Sequence, residues 1–519
     1  MESDRDKGFF LLDCTLRDGG YYTKWDFENN LVKDYCLAME SIPVDYVEIG
    51  YRSVKLNGYL GEFFYCPSYL IQRLKAWMPT KKLVVILNEK DTTVEDLDKL
   101  LDPCKRHISM VRVAIAPDRF DNAIELAKGI KGKGFEVGFN VMYMSTWPSN
   151  NEFLKKISNI NGLVDYFYMV DSYGGILPED VKEITKLVRS ETDSRIGFHG
   201  HDNLHMGLIN SITALESGCE IIDTTVSGMG RGAGNLKTEL FLTYLSAKMG
   251  FDVPLDRLSE VVGDFERLQA FHQWGSNLPY MISGAYSLPQ KDVMDWISKR
   301  RYSISGIVNA LQEQVGGNGE IAFPPLVKDE AFSRAIIIGG GNGAVRNFEA
   351  IKLFIDSVDR VEDICIIHTS TRHAKFYSEF KVRQFFCLVG NEGYRLQKVF
   401  DADTIFSHTC VLPSNRTMGS FVPKRVVENT YEIPHSMFNE KHRDSPLAIA
   451  IEICYLFEIN NIDFIGFDGY DSSTNRSVFA IARENQYLFD NLSKSDVNFS
   501  SLTETKYKIN QSSLYGEIS

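Results

Sequence analysis

The chain has 519 residues, and at roughly 100–200 residues per domain that length calls for at least two folding units, because one barrel seldom needs more than about 250. Its 56 Lys+Arg against 69 Asp+Glu leave a formal charge of −13, which removes the electrostatic basis for a nucleic-acid partner. Hydrophobic residues at 44% and charged residues at 24% are ordinary globular values, and the longest apolar stretch, from Pro446 to Ile459, is broken by Glu452 and Glu458, so no membrane partner is expected. The opening MESDRDKGFF has no apolar signal core before Asp13 and Arg17, which makes a cytoplasmic enzyme the expectation. Nine cysteines form an odd count with no C-x-x-C pair, so they read as buried thiols rather than a disulfide framework or a thiolate zinc site.

Eight short β-rich runs follow in order: Phe9 to Cys14, Val44 to Tyr51, Lys82 to Leu87, Met110 to Ala116, Phe135 to Met142, Val164 to Val170, Arg195 to His199 and Glu220 to Val226. Each gap carries a segment with helical spacing, such as Ala123, Ile124, Leu126, Ala127 and Ile130. Eight such alternations in about 240 residues predict a closed (β/α)₈ TIM barrel over residues 1–250, with an open doubly wound sheet as the alternative. Residues 251–330 turn mostly helical and read as an extension packed on the barrel, with a turn-rich Gly316-Gly317-Asn318-Gly319 near its end. A second, Rossmann-like α/β domain is predicted over 331–500, from strand patterns at Ala335 to Ile338, Ile364 to His368, Phe385 to Val389 and Ile462 to Phe467. Residues 501–519 are polar and Ser-rich and read as a tail.

In a TIM barrel the reacting groups come from the carboxyl ends of strands. The first strand ends in Thr15-Leu16-Arg17-Asp18-Gly19-Gly20 and the seventh in His199-Gly200-His201-Asp202-Asn203. Residues i and i+2 of a strand share a face, so His199 and His201 point the same way, and with Asp18 they form a ligand set for a divalent cation that leaves positions for a chelating substrate. A polar strand end and a turn-forming aspartate are the plainer readings of each residue alone. His205, further along, is expected to face outward.

Those two segments, together with Val47-Glu48-Ile49-Gly50 and Gly228-Met229-Gly230-Arg231-Gly232-Ala233-Gly234-Asn235, resemble the metal-dependent HMG-CoA lyase-like superfamily, with the nearest likeness to 4-hydroxy-2-oxovalerate aldolases over about residues 8–290. The resemblance implies a TIM barrel holding Mn²⁺ or Mg²⁺ on Asp18, His199 and His201, with Asn235 joining or supporting that shell and facing substrate. It implies a lyase or aldolase that makes or breaks a C–C bond next to a 2-keto acid, with pyruvate and an aldehyde as small-molecule partners. An acyl-CoA-dependent lyase or Claisen-type synthase on the same barrel, and a degenerate barrel serving only as scaffold, are the alternatives. Assembly as a homo-oligomer is left open.

An enolate needs its developing charge stabilised, and Arg17 beside Asp18 can place guanidinium donors on the keto oxygen, giving it both catalytic and substrate-binding roles. Glu48, ending the second strand, is expected to orient Arg17 or a water, or to be a plain structural carboxylate. Where the hydroxy-oxovalerate aldolases carry an acid/base histidine, this chain has Tyr21, whose phenol can donate a proton but is a poor base at neutral pH. Ser172, in Asp171-Ser172-Tyr173-Gly174-Gly175, is expected to bond the 2-keto acid carboxylate. In the second domain Gly339-x-Gly341-x-x-Ala344 follows a strand as a dinucleotide loop would, but the next strand ends in His368-Thr369-Ser370 without a ribose-binding acid, so no nucleotide cofactor is assigned. The Ile465-Gly466-Phe467-Asp468-Gly469-Tyr470-Asp471 strand end faintly resembles α/β domains of surface-polysaccharide and pterin pyrophosphokinase-like proteins, with no residue role implied.

Overall fold

The computed structural model describes residues 8–519 apart from 300, 317–322, 358–362, 401–405, 415–419, 440–441 and 471–475. Gly317 to Gly319 of the expected turn and Asp471 of the last strand end lie outside the described residues. The chain divides into two compact units, Met1–Val293 and Met294–Ser519.

The first unit is a closed eight-stranded barrel of β1 (Phe10–Asp13), β2 (Tyr46–Tyr51), β3 (Lys82–Asn88), β4 (Ile108–Ile115), β5 (Glu136–Val141), β6 (Tyr166–Asp171), β7 (Arg195–Gly200) and β8 (Ile221–Thr224). Every neighbouring pair is parallel, and β1 closes on β8 through Phe10 to Ile221. All eight runs read from the sequence become strands, because strands covered on both faces show as near-continuous apolar runs. The open-sheet alternative is thereby set aside.

The two-residue period of the strands layers the barrel interior. At the amino-terminal end Leu12, Tyr46, Met110, Tyr166, Tyr168 and Ile221 form an apolar and aromatic plug. The next interior layer holds Glu48 of β2, Arg112 of β4, Asn140 of β5, His199 of β7 and Asp223 of β8, all buried. The lumen therefore changes from apolar to charged towards the carboxyl ends of the strands. Small residues make that layer possible: a Cβ at Gly197 would lie 2.3 Å from the Tyr168 ring, and one at Gly138 would lie 3.0 Å from Arg112 Cγ.

Arg112 is the hub of this layer. It donates to Asp223 Oδ2 at 2.6 Å, lies 3.4 Å from Glu48 Oε1, and stacks its guanidinium 3.8 Å from the centre of the Tyr168 ring. Removing one member of a buried ion pair strands the others, at a cost of about 3–5 kcal/mol. Arg112→Met is therefore expected to destabilise the barrel by that amount in urea unfolding; an unchanged midpoint would mean that the charge layer contributes nothing to folding.

The segment expected as one helical extension is shared between the units: Leu255–His272 and Leu278–Ala285 belong to the first, Ile304–Gly316 to the second. The second unit holds a seven-stranded parallel sheet of β9 (Arg334–Ile338), β10 (Ile364–His368), β11 (Arg383–Cys387), β12 (Thr409–Leu412), β13 (Thr430–Glu432), β14 (Asn461–Ile465) and β15 (Asn498–Ser501), in the order β13-β12-β11-β10-β9-β14-β15. Residues 501–519, polar by composition, are nonetheless tied down: Ser512 N–H donates to Ser501 O at 2.9 Å, and Leu514 is buried against Ile336 and Ile351. Among the described residues no helix is long and apolar enough to cross a membrane.

Candidate metal centre

After β1 the chain turns into a single helical turn, Thr15–Asp18, anchored by the Asp13 carboxylate, which accepts from Thr15 N–H at 2.9 Å and from the Tyr35 hydroxyl at 2.6 Å. This turn delivers Arg17 and Asp18, both buried, to the barrel mouth. Asp18 there meets His199 and His201, and one ligand atom from each of the three lies within 4.8 Å of the others. Three residues taken from opposite ends of the barrel sequence thus converge on one point.

Each histidine is held by its other ring nitrogen. His199 Nδ1–H donates to Asp223 Oδ2 at 2.9 Å, and His201 Nδ1–H donates to the Asp171 carbonyl at 2.6 Å. Both Nε2 lone pairs are left for a ligand, as in carboxylate–histidine–metal relays. Burial, and then His199, push the His201 pKa down to about 4 against the pull of Asp18, so the ring is neutral at physiological pH. Burial works against the charge of Asp18, but Arg17, the two histidines and the Asn235 amide together hold its carboxyl below the ordinary range. Asn235 Nδ2 donates to Asp18 Oδ2 at 2.6 Å, while its own Oδ1 is buried without a hydrogen-bond partner. Two imidazoles, a carboxylate and an orphaned amide oxygen fit a hard divalent cation. A second cluster, Cys14, His199 and Asp223, lies beneath. It is spoken for: Asp223 serves Arg112 and His199, and burial raises the Cys14 pKa well above its usual value.

Arg17 Nε donates to Glu48 Oε2 at 2.7 Å, and its NH1 bonds Asp18 Oδ1. Glu48 is completely buried and also faces Arg112, so its contacts are with arginines. Arg17, Asp18, Tyr21, Ser172, His199 and His201 line one cavity of about 450 Å³. The Ser172 hydroxyl accepts from Tyr143 N–H at 2.9 Å, which leaves its proton to donate into the cavity. The Tyr21 oxygen lies 3.4 Å from that of Tyr51, and the Tyr21 ring is 39% exposed. Burial, and next Tyr21, raise the Tyr51 pKa well above the phenol range. His205 is exposed, 3.4 Å from Asp202, away from the ligand trio.

The sequence reading missed Arg112, Asp223, Tyr51 and Arg231, of which Tyr51 and Arg231 line the cavity and the other two back it. A signal was present for the buried pair. A charge in the middle of a strand covered on both faces has to be buried and so requires a partner.

The HMGL-like family pattern matches residues 104–262. A 4-hydroxy-2-oxovalerate aldolase from Roseiflexus castenholzii is 30% identical over 254 residues, covering 48% of this chain and 74% of the relative. This chain belongs to the HMGL-like family. An oxaloacetate decarboxylase from Mycobacterium tuberculosis is 23% identical to this HMGL-like chain over 315 residues, or 59% of it and 92% of the relative. The crystal structure of the N-terminal domain of a Bacteroides vulgatus protein designated an aldolase is 52% identical, with a TM-score of 0.55, covering 58% of this chain and 99% of that one.

In the second unit of the HMGL-like chain, a cavity of about 480 Å³ opens at the carboxyl ends of β9, β10 and β14, lined by Gly339 to Gly341, Ser370 and Asp468. The order of strands reverses between β9 and β14, where open sheets bind ligands. The glycine turn nevertheless packs on protein. A Cβ at Gly339 would lie 2.5 Å from Gly466 O, and the Gly343 N–H is taken by the Asp468 carboxylate at 3.0 Å. A pyrophosphate on this turn would face that carboxylate, so the dinucleotide pattern here has a packing explanation.

Proposed function

We propose that this protein is a divalent-metal-dependent carbon–carbon lyase of the pyruvate aldolase type, joining or releasing an aldehyde at the methyl carbon of a 2-keto acid. The observation that carries the proposal is the convergence of Asp18, His199 and His201 beside Arg17 in one cavity. The named relatives, an aldolase and an oxaloacetate decarboxylase, both handle 2-keto acids and support the same reading.

Asp18, His199 and His201 would hold Mn²⁺ or Mg²⁺, with the Asn235 Oδ1 available to the same shell. A divalent ion there supplies Lewis-acid polarisation of the keto group. Arg17, fixed by Glu48 and Asp18, presents its remaining N–H groups to the keto oxygen and stabilises charge as it develops. The Ser172 hydroxyl donates to the substrate carboxylate. Tyr21 faces the acceptor side of the cavity, where its phenol donates to the aldehyde oxygen as that oxygen becomes an alkoxide.

Incubating the protein with Mn²⁺, pyruvate and a panel of aldehydes, read by mass spectrometry, tests the proposal. Adducts of pyruvate plus aldehyde are expected; products formed only with acyl-CoA would favour a Claisen-type synthase instead. Tyr21→Phe should lower adduct formation about tenfold or more and lower methyl-proton exchange of pyruvate much less. Equal losses in the two assays would place Tyr21 elsewhere in the reaction.

A further inference from the structure

Four cationic side chains line the barrel cavity: Arg17, Lys90, Arg119 and Arg231. Two are neutralised within the protein. Arg17 is bound to Asp18 and Glu48, and Arg119 to both oxygens of Glu89. Among the described residues no ion pair joins a carboxylate to Lys90 or Arg231, whereas Arg17 and Arg119 are both so paired. The backbone on either side of Arg231 is closely packed. Arg231 is carried by a glycine loop in which a Cβ at Gly230 would lie 2.4 Å from Asn235 Nδ2, and one at Gly232, where φ is +65°, would lie 2.3 Å from Gln290 Oε1. The same loop carries Asn235, which is bonded to Asp18. The Arg231 guanidinium lies 5.8 Å from the centre of the Tyr21 ring.

Arg231 is partly exposed beside the Asp18, His199 and His201 trio, so its guanidinium is open to an anion entering the cavity, and a chain of net charge −13 has no general surplus of positive charge to explain it. A 2-keto acid brings one carboxylate, which Ser172 already serves, while Arg17 serves the keto oxygen. We propose that Arg231 binds an anionic group on the aldehyde acceptor, so that the preferred acceptors carry a carboxylate or a phosphate. This rests on the aldolase reading and specifies its second substrate. In the synthetic direction one C–C bond forms, between the pyruvate methyl carbon and the aldehyde carbonyl carbon. The proton lost from the methyl group is balanced by one gained on the aldehyde oxygen. The product is a 4-hydroxy-2-keto acid with a second anionic end, and no oxidant or reductant is needed.

The test uses the full chain with Mn²⁺ and pyruvate, and compares matched acceptors: succinic semialdehyde against butanal, and glyceraldehyde 3-phosphate against glyceraldehyde. In wild type kcat/KM should favour the charged member of at least one pair by tenfold or more, and the pair that shows it distinguishes carboxylate from phosphate. Arg231→Gln should raise KM for that charged acceptor about tenfold or more and bring the ratio close to one, with Arg231→Lys recovering part of the loss. Bound Mn²⁺ and the melting temperature check that each variant is folded, and the wild-type comparison needs no variant. Absence of preference in both pairs, or an equal loss for charged and neutral acceptors in Arg231→Gln, would overturn the assignment while leaving the aldolase reading intact. Wild-type protein that exchanges no pyruvate methyl protons would overturn the aldolase reading itself, and this one with it.

Discussion

Asp18→Ala and His201→Ala are each expected to lose bound divalent metal and to lower activity by roughly 10³-fold or more, with the barrel still folded. The metal loss follows from the donor set. Either change leaves two of three converging ligands, with the Asn235 Oδ1 as the unpartnered oxygen beside the site. The fold should survive because both side chains sit at the carboxyl rim, above the apolar plug and the Arg112 layer that hold the strands together. Circular dichroism and a melting curve close to wild type, with metal content falling below about one tenth, would match this expectation. Cys14→Ala should keep its metal, because Cys14 belongs to the lower cluster. Equal metal in wild type and both rim variants would remove the ligand assignment.

Arg17→Lys is expected to reduce turnover by about 10²-fold or more while metal is retained. Lysine keeps the charge but not the planar fork. Arg17 currently spends Nε on Glu48 and NH1 on Asp18, and these two bonds set the angle at which its remaining donors face the cavity. A lysine ammonium can satisfy one carboxylate but cannot hold both and still present a directed donor. The change should appear in kcat more than in KM, since the interaction grows as charge develops on the keto oxygen. An unchanged kcat would make Arg17 a structural ion-pair partner of Glu48.

The barrel was legible because its strands are apolar runs punctuated by helical spacing, and the convergence of Asp18, His199 and His201 because two of the three share a strand face in His199-Gly200-His201. Asp18 was readable only as a strand-end carboxylate, and its convergence with the histidines depends on barrel closure between β1 and β8, which no local pattern encodes. The layer behind the site was harder. Arg112, in Met110-Val111-Arg112-Val113, has the alternation of a strand with one solvated face, whereas in this barrel both faces are covered. In the second unit β12, β13 and β15 escaped notice: they have only four, three and four residues, and Asn498–Ser501 is mostly polar. Their pairing with β11, β12 and β14 places them in the sheet, a long-range cause that composition does not carry.

The most direct test of the central claim is deuterium incorporation into the methyl group of pyruvate, followed by NMR in D₂O with the metal-free full chain before and after one equivalent of Mn²⁺. Exchange that is negligible without the ion, appears with it and is lost again in Asp18→Ala is the predicted result. Protein that binds Mn²⁺ through Asp18, His199 and His201 yet exchanges no pyruvate methyl protons would contradict it.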